Sequence, residues 1–204
     1  MNSNPKLSIG IIGAGNIATA IATRAAATGR HDVLLSNSRG PATLAELVAP
    51  LAGVRAGTVE QASQAQIVVL SVPWSAIPKA VGAVSDWTGK TLIDTTNPIE
   101  APTFRAAELN GKTSSEVVAA LTPGAKLVKA FNTHNPGALA SDPSVAGGTR
   151  VMFYSGDDPE AKQSVQEFIS GLGFKAVDLG GLATGGAMQQ FPGGPLAGRD
   201  LVQL

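Results

Sequence analysis

Residues Gly10–Ala18, which read Gly-Ile-Ile-Gly-Ala-Gly-Asn-Ile-Ala, decide the fold. They follow an apolar run and precede a segment of helical period, so they form the turn of a strand–turn–helix unit. In such a unit Gly13 permits the tight turn, Gly15 lets the main chain approach a diphosphate, and Ala18 allows close helix–strand packing. Free N–H groups at the helix N-terminus favour an anion there. The pattern predicts a dinucleotide site made by Gly13, Ala14, Gly15, Asn16 and Ile17; a strand–helix turn without a ligand is the alternative.

The rest of the chain alternates short apolar runs with segments of helical period, which is typical of a parallel sheet covered by helices. We therefore expect an α/β fold of the Rossmann type, doubly wound, with a mainly parallel sheet. The predicted strands are Leu7–Ile12, Val33–Ser36, Val54–Ala56, Ile67–Ser71, Thr91–Asp94, Leu127–Phe131, Val151–Ser155 and Lys175–Val177. The predicted helices are Asn16–Thr28, Pro41–Ala49, Trp74–Val84, Ser114–Leu121 and Pro159–Leu172.

The loop after the second predicted strand indicates which dinucleotide is preferred. NAD-binding proteins usually place Asp or Glu there to bond the ribose 2′-hydroxyl. This chain instead has Asn37, Ser38 and Arg39. Arginine makes charge-assisted bonds to phosphate oxygens, and the amide and hydroxyl add donors. The loop therefore predicts NADP(H), bound through its 2′-phosphate; a solvated Arg39 beside a helix-capping serine is the alternative.

Two further predicted strands end where the ligand is expected, because ligands of open α/β sheets lie beyond the carboxyl ends of the strands. Ser71, Val72 and Pro73 follow one of these strands, and Thr95 and Asn97 follow the other. We expect Val72 and Pro73 to line the ribose and nicotinamide. Thr95 and Asn97 are candidates to bond the carboxamide or to orient the substrate. The alternative for Pro73 is that it only ends its strand.

The composition excludes several classes of function. Fifteen basic residues balance fifteen acidic ones, so no overall field attracts nucleic acid or an anionic membrane. The absence of cysteine excludes thiolate catalysis, and the two histidines make no recognisable metal site. No run approaches the roughly 20 apolar residues of a membrane helix. We expect a cytoplasmic protein that has a small molecule as its partner and holds no metal.

The C-terminal part differs in composition from the rest. We expect residues 1–150 to form the NADP(H)-binding domain and residues 151–204 a small extension that completes the cleft; one continuous domain is the alternative. Gly180–Gly198 holds seven glycines in nineteen residues. It is either a mobile terminus or a loop that closes over a ligand or packs on a second subunit. Its spaced apolar residues favour the loop, and with it a homodimer.

Together, these motifs resemble the NADPH-dependent F420 reductase family over nearly the whole chain. The resemblance rests on Ile9–Ile17, Asn37–Arg39, Thr91–Pro98 and Leu121–Thr133, and Gly193–Gly198 looks like a C-terminal motif of the family. A similar Lys-Ala-Phe-Asn-Thr run occurs in the oxidoreductase domain of the STEAP metalloreductases, which look like the same fold used with flavin. The resemblance implies hydride transfer between NADPH and a small-molecule acceptor, either coenzyme F420 or a flavin such as FMN or FAD.

The resemblance also implies where the acceptor ring lies. His134 follows the strand that ends near Phe131, where it is a candidate to bond the ring carbonyl or N1 as charge develops. Asn132 and Thr133 are candidates for the same reason. A loop histidine that caps a helix or faces water is the alternative. Direct hydride transfer between stacked rings asks little else of side chains.

Two other functions stay open. Pyrroline-5-carboxylate reductases have an opening segment similar to Gly13–Ala20, but they continue into a long helical dimerisation domain. Here the chain ends soon after Ser155 with a glycine-rich stretch. A non-catalytic NADP(H)-binding redox sensor would need no acid–base group, and none is obvious in this sequence.

Overall fold

The computed structural model describes residues 6–204. Residues 1–5, the start of the predicted NADP(H)-binding part, lie outside the described residues. The strands are β1 Leu7–Ile12, β2 His31–Ser36, β3 Val54–Gly57, β4 Ile67–Leu70, β5 Thr91–Asp94, β6 Ile99–Glu100, β7 Arg105–Ala106, β8 Lys126–Ala130, β9 Ser144–Val145, β10 Gly148–Gly156, β11 Lys175–Asp178 and β12 Val202–Gln203. The helices are α1 Asn16–Thr28, α2 Ala45–Val48, α3 Val59–Ala62, α4 Ile77–Val81, α5 Ser114–Leu121, α6 Pro136–Ala140, α7 Pro159–Gly171 and α8 Ala187–Gln189.

The central sheet is mainly parallel. Its strand order is β11-β10-β8-β5-β4-β1-β2-β3. Strands β8, β5, β4, β1, β2 and β3 run parallel to one another, and β10 is antiparallel to β8. Since β1 lies between β2 and β4, the strand order reverses there and opens a crevice at the carboxyl ends of these strands. The Rossmann-type α/β prediction is confirmed.

Apolar side chains cover both faces of the sheet, which explains the continuous apolar runs of its strands. On one face Ile9 and Ile11 of β1 pack with Phe168 of α7. On the other face Val68 and Leu70 of β4 pack with residues of α4 and α5. The two clusters fix β1, β4, β5 and β8 side by side, and with them the loops at their carboxyl ends.

The predicted strands are all present, with ends that differ by at most three residues. Two predicted helices are shorter and less regular: Pro41–Leu44 and Trp74–Ala76 are 3₁₀ turns that lead into α2 and α4. Pro78 explains the second, because proline lacks the N–H that would donate to the carbonyl four residues back. Helices α3, α6 and α8 were not predicted, although Thr58 and Gln61 form a capping box at α3.

Residues 151–204 add strands to the same sheet. Strand β10 crosses the predicted boundary at residue 150 and pairs with both β8 and β11. The glycine-rich stretch then forms a π-helical turn at Leu182–Gly186 and α8, and it buries Leu182 and Gln189. Among residues 6–204 no helix has the length and apolar character needed to cross a bilayer.

Candidate functional site

The turn between β1 and α1 has two glycines with different roles. Gly13 has a φ of 116°, and a Cβ there would overlap the main-chain oxygen of Ser71. The fold itself therefore requires this glycine. Gly15 has an ordinary φ of −81°, and a Cβ there would meet no atom within 4 Å. The fold therefore does not require a glycine at position 15, and the open space beside it leaves room for a ligand to approach the main chain.

Helix α1 begins at this open space. Gly15 is its N-cap, and no side chain caps the helix. Asn16 is exposed and Ile17 half-buried, so the first turn of the helix is open to solvent. Its uncapped N–H groups carry the positive end of a 13-residue helix. An anion beside Gly15 and Asn16 would receive both the hydrogen bonds and the favourable field.

The loop after β2 lies directly beside the glycine turn. The Gly13 N–H donates to the Ser36 carbonyl oxygen at 3.0 Å, and the Ser36 hydroxyl donates to Ile11 O at 2.8 Å. Asn37 Oδ1 accepts the Arg39 N–H at 2.9 Å, which sets the loop conformation. The side chain of Arg39 is exposed and makes no ion pair within residues 6–204. Arg39 is therefore a cation without an ion-pair partner among the described residues, one strand away from the glycine turn.

The loops after β4 and β5 lie at the same edge of the sheet, the one formed by the carboxyl ends of its parallel strands. The Ser71 N–H donates to Ile12 O at 2.9 Å, which holds the β4 loop against the glycine turn. Val72 is half-buried and Pro73 is exposed. The Thr95 hydroxyl donates to Leu70 O at 3.0 Å, so this side chain ties the β4 and β5 ends together. Thr95 is only 6% exposed, and its hydroxyl already donates to the main chain, so this residue stabilises the loop after β5.

Two amide side chains join the ends of β5 and β8. Asn97 Nδ2 donates to the Asn132 carbonyl oxygen at 3.0 Å, and Asn132 Nδ2 donates to Asn97 Oδ1 at 3.0 Å. The C-terminal segment rests on this pair: Asn132 Nδ2 also donates to Gln189 O at 2.7 Å, and the Phe191 N–H donates to Asn97 Oδ1 at 3.0 Å. The structure thus brings the predicted residues Asn97 and Asn132 together and places residues 187–191 against them.

The structure places His134 differently from the other candidates. Its side chain is 1% exposed and its ring packs 6.2 Å from the Phe174 ring. Nδ1 lies 3.3 Å from the Thr133 hydroxyl, and Nε2 lies 3.7 Å from Asp200 Oδ1. Burial lowers the pKa of His134, and the carboxylate of Asp200 partly opposes this shift. The hydrogen bonds and ring contacts of His134 are with these residues rather than with Asn97 or Asn132.

Comparison with known proteins decides the family. Over its whole length the chain is 43% identical to a hypothetical protein from Sinorhizobium meliloti, of which it covers 98%, and the two structures superpose with a TM-score of 0.91. Residues 8–98 match the family described as NADP oxidoreductase, coenzyme F420-dependent. The chain belongs to this family of NADP oxidoreductases.

Two further proteins are similar to this oxidoreductase. A candidate F420-dependent NADP reductase from Arthrobacter sp. FB24 is 26% identical, with 86% of each chain covered and a TM-score of 0.73. The rat metalloreductase STEAP3 is 31% identical over 184 residues, which are 90% of this chain and 36% of that protein. The chain therefore spans only about a third of the length of this curated relative.

Sequence reasoning missed the most buried polar feature of this NADP oxidoreductase. Lys129 of β8 and Asp94 of β5 form an ion pair in which both side chains are 0% exposed. A signal was present, because Asp94 ends the buried strand β5 and Lys129 lies between two apolar residues within β8. Two opposite charges in neighbouring buried strands indicate a pair, since a lone charge there would be too costly. Gln189, also 0% exposed, lay in the glycine-rich stretch, where no periodicity marked it.

Proposed function

We propose that this chain transfers a hydride between NADPH and a planar acceptor ring, a deazaflavin such as coenzyme F420 or a flavin. One observation carries the proposal: the uncapped start of α1 beside Gly15 has free space, and the adjacent strand end presents Arg39 without a partner among the described residues. A diphosphate with one further phosphate on the ribose fits that arrangement of donors.

The residues present fit the dinucleotide. The N–H groups that follow Gly15 would hold the diphosphate, together with Ala14 and Asn16 of the same turn. Asn37, Ser38 and Arg39 would hold the 2′-phosphate, since hydroxyl, amide and guanidinium groups all donate. The edge from Ser71 to Pro73 then leads along the cleft toward the Asn97–Asn132 pair, where the redox end of the dinucleotide would lie.

NADPH, when bound, supplies the hydride from its nicotinamide ring, and the acceptor takes up the hydride and a proton. The protein's contribution is to orient the two rings and to keep water away. Val72 and Pro73 offer an apolar edge for one ring face. The segment at 187–191, held on Asn97 and Asn132, closes the neighbouring side. Thr133 and His134 are the residues proposed to contact the acceptor.

We propose that residues 1–150 bind the cofactor and that residues 151–204 complete the cleft. We also propose that the protein is a cytoplasmic homodimer. Large apolar side chains stand out near the cleft: Phe104 is 82% exposed, Phe191 51% and Met188 38%. A second copy that covers them would remove this apolar surface from water. A monomeric mass by light scattering at micromolar concentration would overturn the dimer.

The reaction is tested by mixing the protein and NADPH with each acceptor in turn and following NADPH absorbance. The acceptors are coenzyme F420, FMN, FAD, a ferric chelate and pyrroline-5-carboxylate. Oxidation with F420 or a flavin, faster with NADPH than with NADH, is the expected result. Oxidation with pyrroline-5-carboxylate alone would assign the chain to imine reduction. Tight NADPH binding without oxidation by any acceptor would make it a sensor.

A further inference from the structure

We infer that Asn132 holds the carboxamide of the nicotinamide ring, with its side-chain oxygen Oδ1 accepting a carboxamide N–H. This inference rests on the proposed function, because it concerns the redox end of the same dinucleotide. It assigns Asn132 to NADP(H), whereas the sequence made it a candidate for the acceptor ring.

The orientation of the Asn132 amide is fixed by its neighbours. Its Nδ2 donates to two acceptors that cannot donate in return: Gln189 O at 2.7 Å and Asn97 Oδ1 at 3.0 Å. Asn97 Oδ1 is held as an acceptor because it also receives the Phe191 N–H. A flipped Asn132 amide would set oxygen against oxygen at both contacts. The nitrogen is therefore committed, and the oxygen is the atom left over.

That oxygen has no hydrogen-bond partner within residues 6–204, although it is buried. A buried acceptor without a donor costs free energy, so its persistence needs an explanation. An incoming N–H group would supply one. The carboxamide of a nicotinamide carries two N–H donors, whereas the rest of the nicotinamide ring has no donor stronger than C–H.

The main chain before Asn132 is strained in a way that fits a ligand role. Phe131 has a φ of 63°, in the left-handed region that a bulky residue rarely adopts. This conformation turns the chain at the end of β8, and the next side chain reaches Asn97 across the gap to β5. Strain of this kind gathers at ligand sites, where the surrounding structure holds it in place.

Gln189 offers a second buried oxygen without a donor, and the two must be distinguished. Its Nε2 donates to Ser155 Oγ at 2.8 Å and to Lys129 O at 3.1 Å, so its amide is also fixed. Gln189 is 0% exposed and lies between β8 and β10, whereas Asn132 keeps 8% exposure at the carboxyl end of β8. Of these two unpaired oxygens, the one that lies at the carboxyl ends of the strands is that of Asn132.

The test uses calorimetry with three ligands: NADP⁺, its acetylpyridine analogue and adenosine 2′,5′-bisphosphate. The analogue replaces the carboxamide NH₂ with a methyl group and so removes the donor alone. The wild-type protein is expected to bind NADP⁺ about tenfold more tightly than the analogue, the range of one hydrogen bond to an otherwise unpaired acceptor. In Asn132→Ala the two affinities become equal. Binding of the bisphosphate, which lacks nicotinamide, stays the same and shows that the variant is folded.

Gln163→Ala is the control, because it deletes an amide side chain from the exposed face of α7, outside the proposed site. It is expected to keep the tenfold preference. A tenfold preference that survives in Asn132→Ala overturns the inference, and so does a wild-type protein that binds NADP⁺ and the analogue equally. The comparison of NADP⁺ with the analogue in the wild-type protein needs no variant. If Asn132→Ala does not fold, Asn132→Ser is measured instead. Failure of the wild-type protein to bind the bisphosphate would instead overturn the proposed function.

Discussion

Lys129 Nζ donates to Asp94 Oδ2 at 3.1 Å, with both side chains removed from solvent. The ammonium also donates to Thr96 O and Ser114 Oγ, and the carboxylate also accepts from Ser115 Oγ and from the N–H and hydroxyl of Thr96. Every donor and charge in the pair is matched. The pair locks β5 to β8 just before the loops that carry Asn97 and Asn132, so it positions the redox end of the cleft.

Replacing Lys129 with methionine is expected to lower the free energy of unfolding by about 3–5 kcal/mol, because it leaves the Asp94 carboxylate buried and unpaired. Urea denaturation measures the loss. Lys126→Met on the same strand is the control: its ammonium pairs with Glu160 while 32% exposed, so the change should cost less than about 1 kcal/mol. Similar losses in the two variants would show that burial of the pair is unimportant.

Replacing Arg39 with alanine is expected to weaken NADPH binding by roughly 10–100-fold and to leave NADH binding nearly unchanged, because the contact proposed for the guanidinium is with the 2′-phosphate alone. Dissociation constants for both dinucleotides check this. Arg55→Ala on β3, another exposed arginine, is the control and should change neither. Equal weakening of NADPH and NADH in Arg39→Ala would remove Arg39 from the 2′-phosphate site.

Alanine at the two turn glycines should separate folding from binding. Gly15→Ala puts a methyl group into open space at an ordinary φ, so stability should change by less than about 1 kcal/mol while dinucleotide binding is lost. Gly13→Ala forces a φ of 116° and an overlap with Ser71 O, so it should cost more than about 2 kcal/mol. Unfolding and binding are measured on both variants. A Gly15→Ala protein that binds NADP⁺ normally would contradict the diphosphate position.

The histidines predict how stability depends on pH. Burial lowers the pKa of both His134 and His31 below the ordinary value of 6.5. The unfolded chain therefore takes up these protons first as the pH falls. Their contribution to stability is complete above pH 6.5 and declines as the pH falls below it, by at most about 1.4 kcal/mol per pH unit for each histidine.

Urea unfolding of the wild type and of His134→Gln between about pH 5 and pH 8 tests this dependence. This range includes the ordinary histidine pKa of 6.5 and extends below it, where the buried histidines of the folded protein take up their protons. The variant should show a shallower loss of stability on the acidic side. His31→Gln is the companion, since His31 stands at the start of β2, at the opposite end of that strand from the loop of Asn37–Arg39, and its ring packs on Phe168. Identical slopes in the wild type and both variants would show that neither histidine changes its protonation on unfolding. If His134 also contacts the acceptor, only His134→Gln should slow NADPH oxidation.

Much of the fold was predictable because its signals are local. The apolar runs of β1, β4 and β5 and the glycines at 10–15 lie within short stretches, and each stretch largely determines its own conformation. The shorter segments were harder. Residues 74–84 keep a helical period, but Pro78 interrupts the hydrogen bonds, and a 3₁₀ turn replaces the first part of the helix. The capping-box residues of α3, Thr58 and Gln61, are visible in the sequence. The apolar pattern that follows them is too short to predict a helix.

The sequence by itself determined the glycine turn, the cation after β2 and the α/β class, because each depends on residues that are neighbours along the chain. Only the tertiary structure decided which polar side chains meet. Asn97 and Asn132, like Asp94 and Lys129, are 35 residues apart, and they touch because β5 and β8 are adjacent in the sheet. Strand adjacency depends on how all the helices and strands pack together, and no single strand's pattern carries that information.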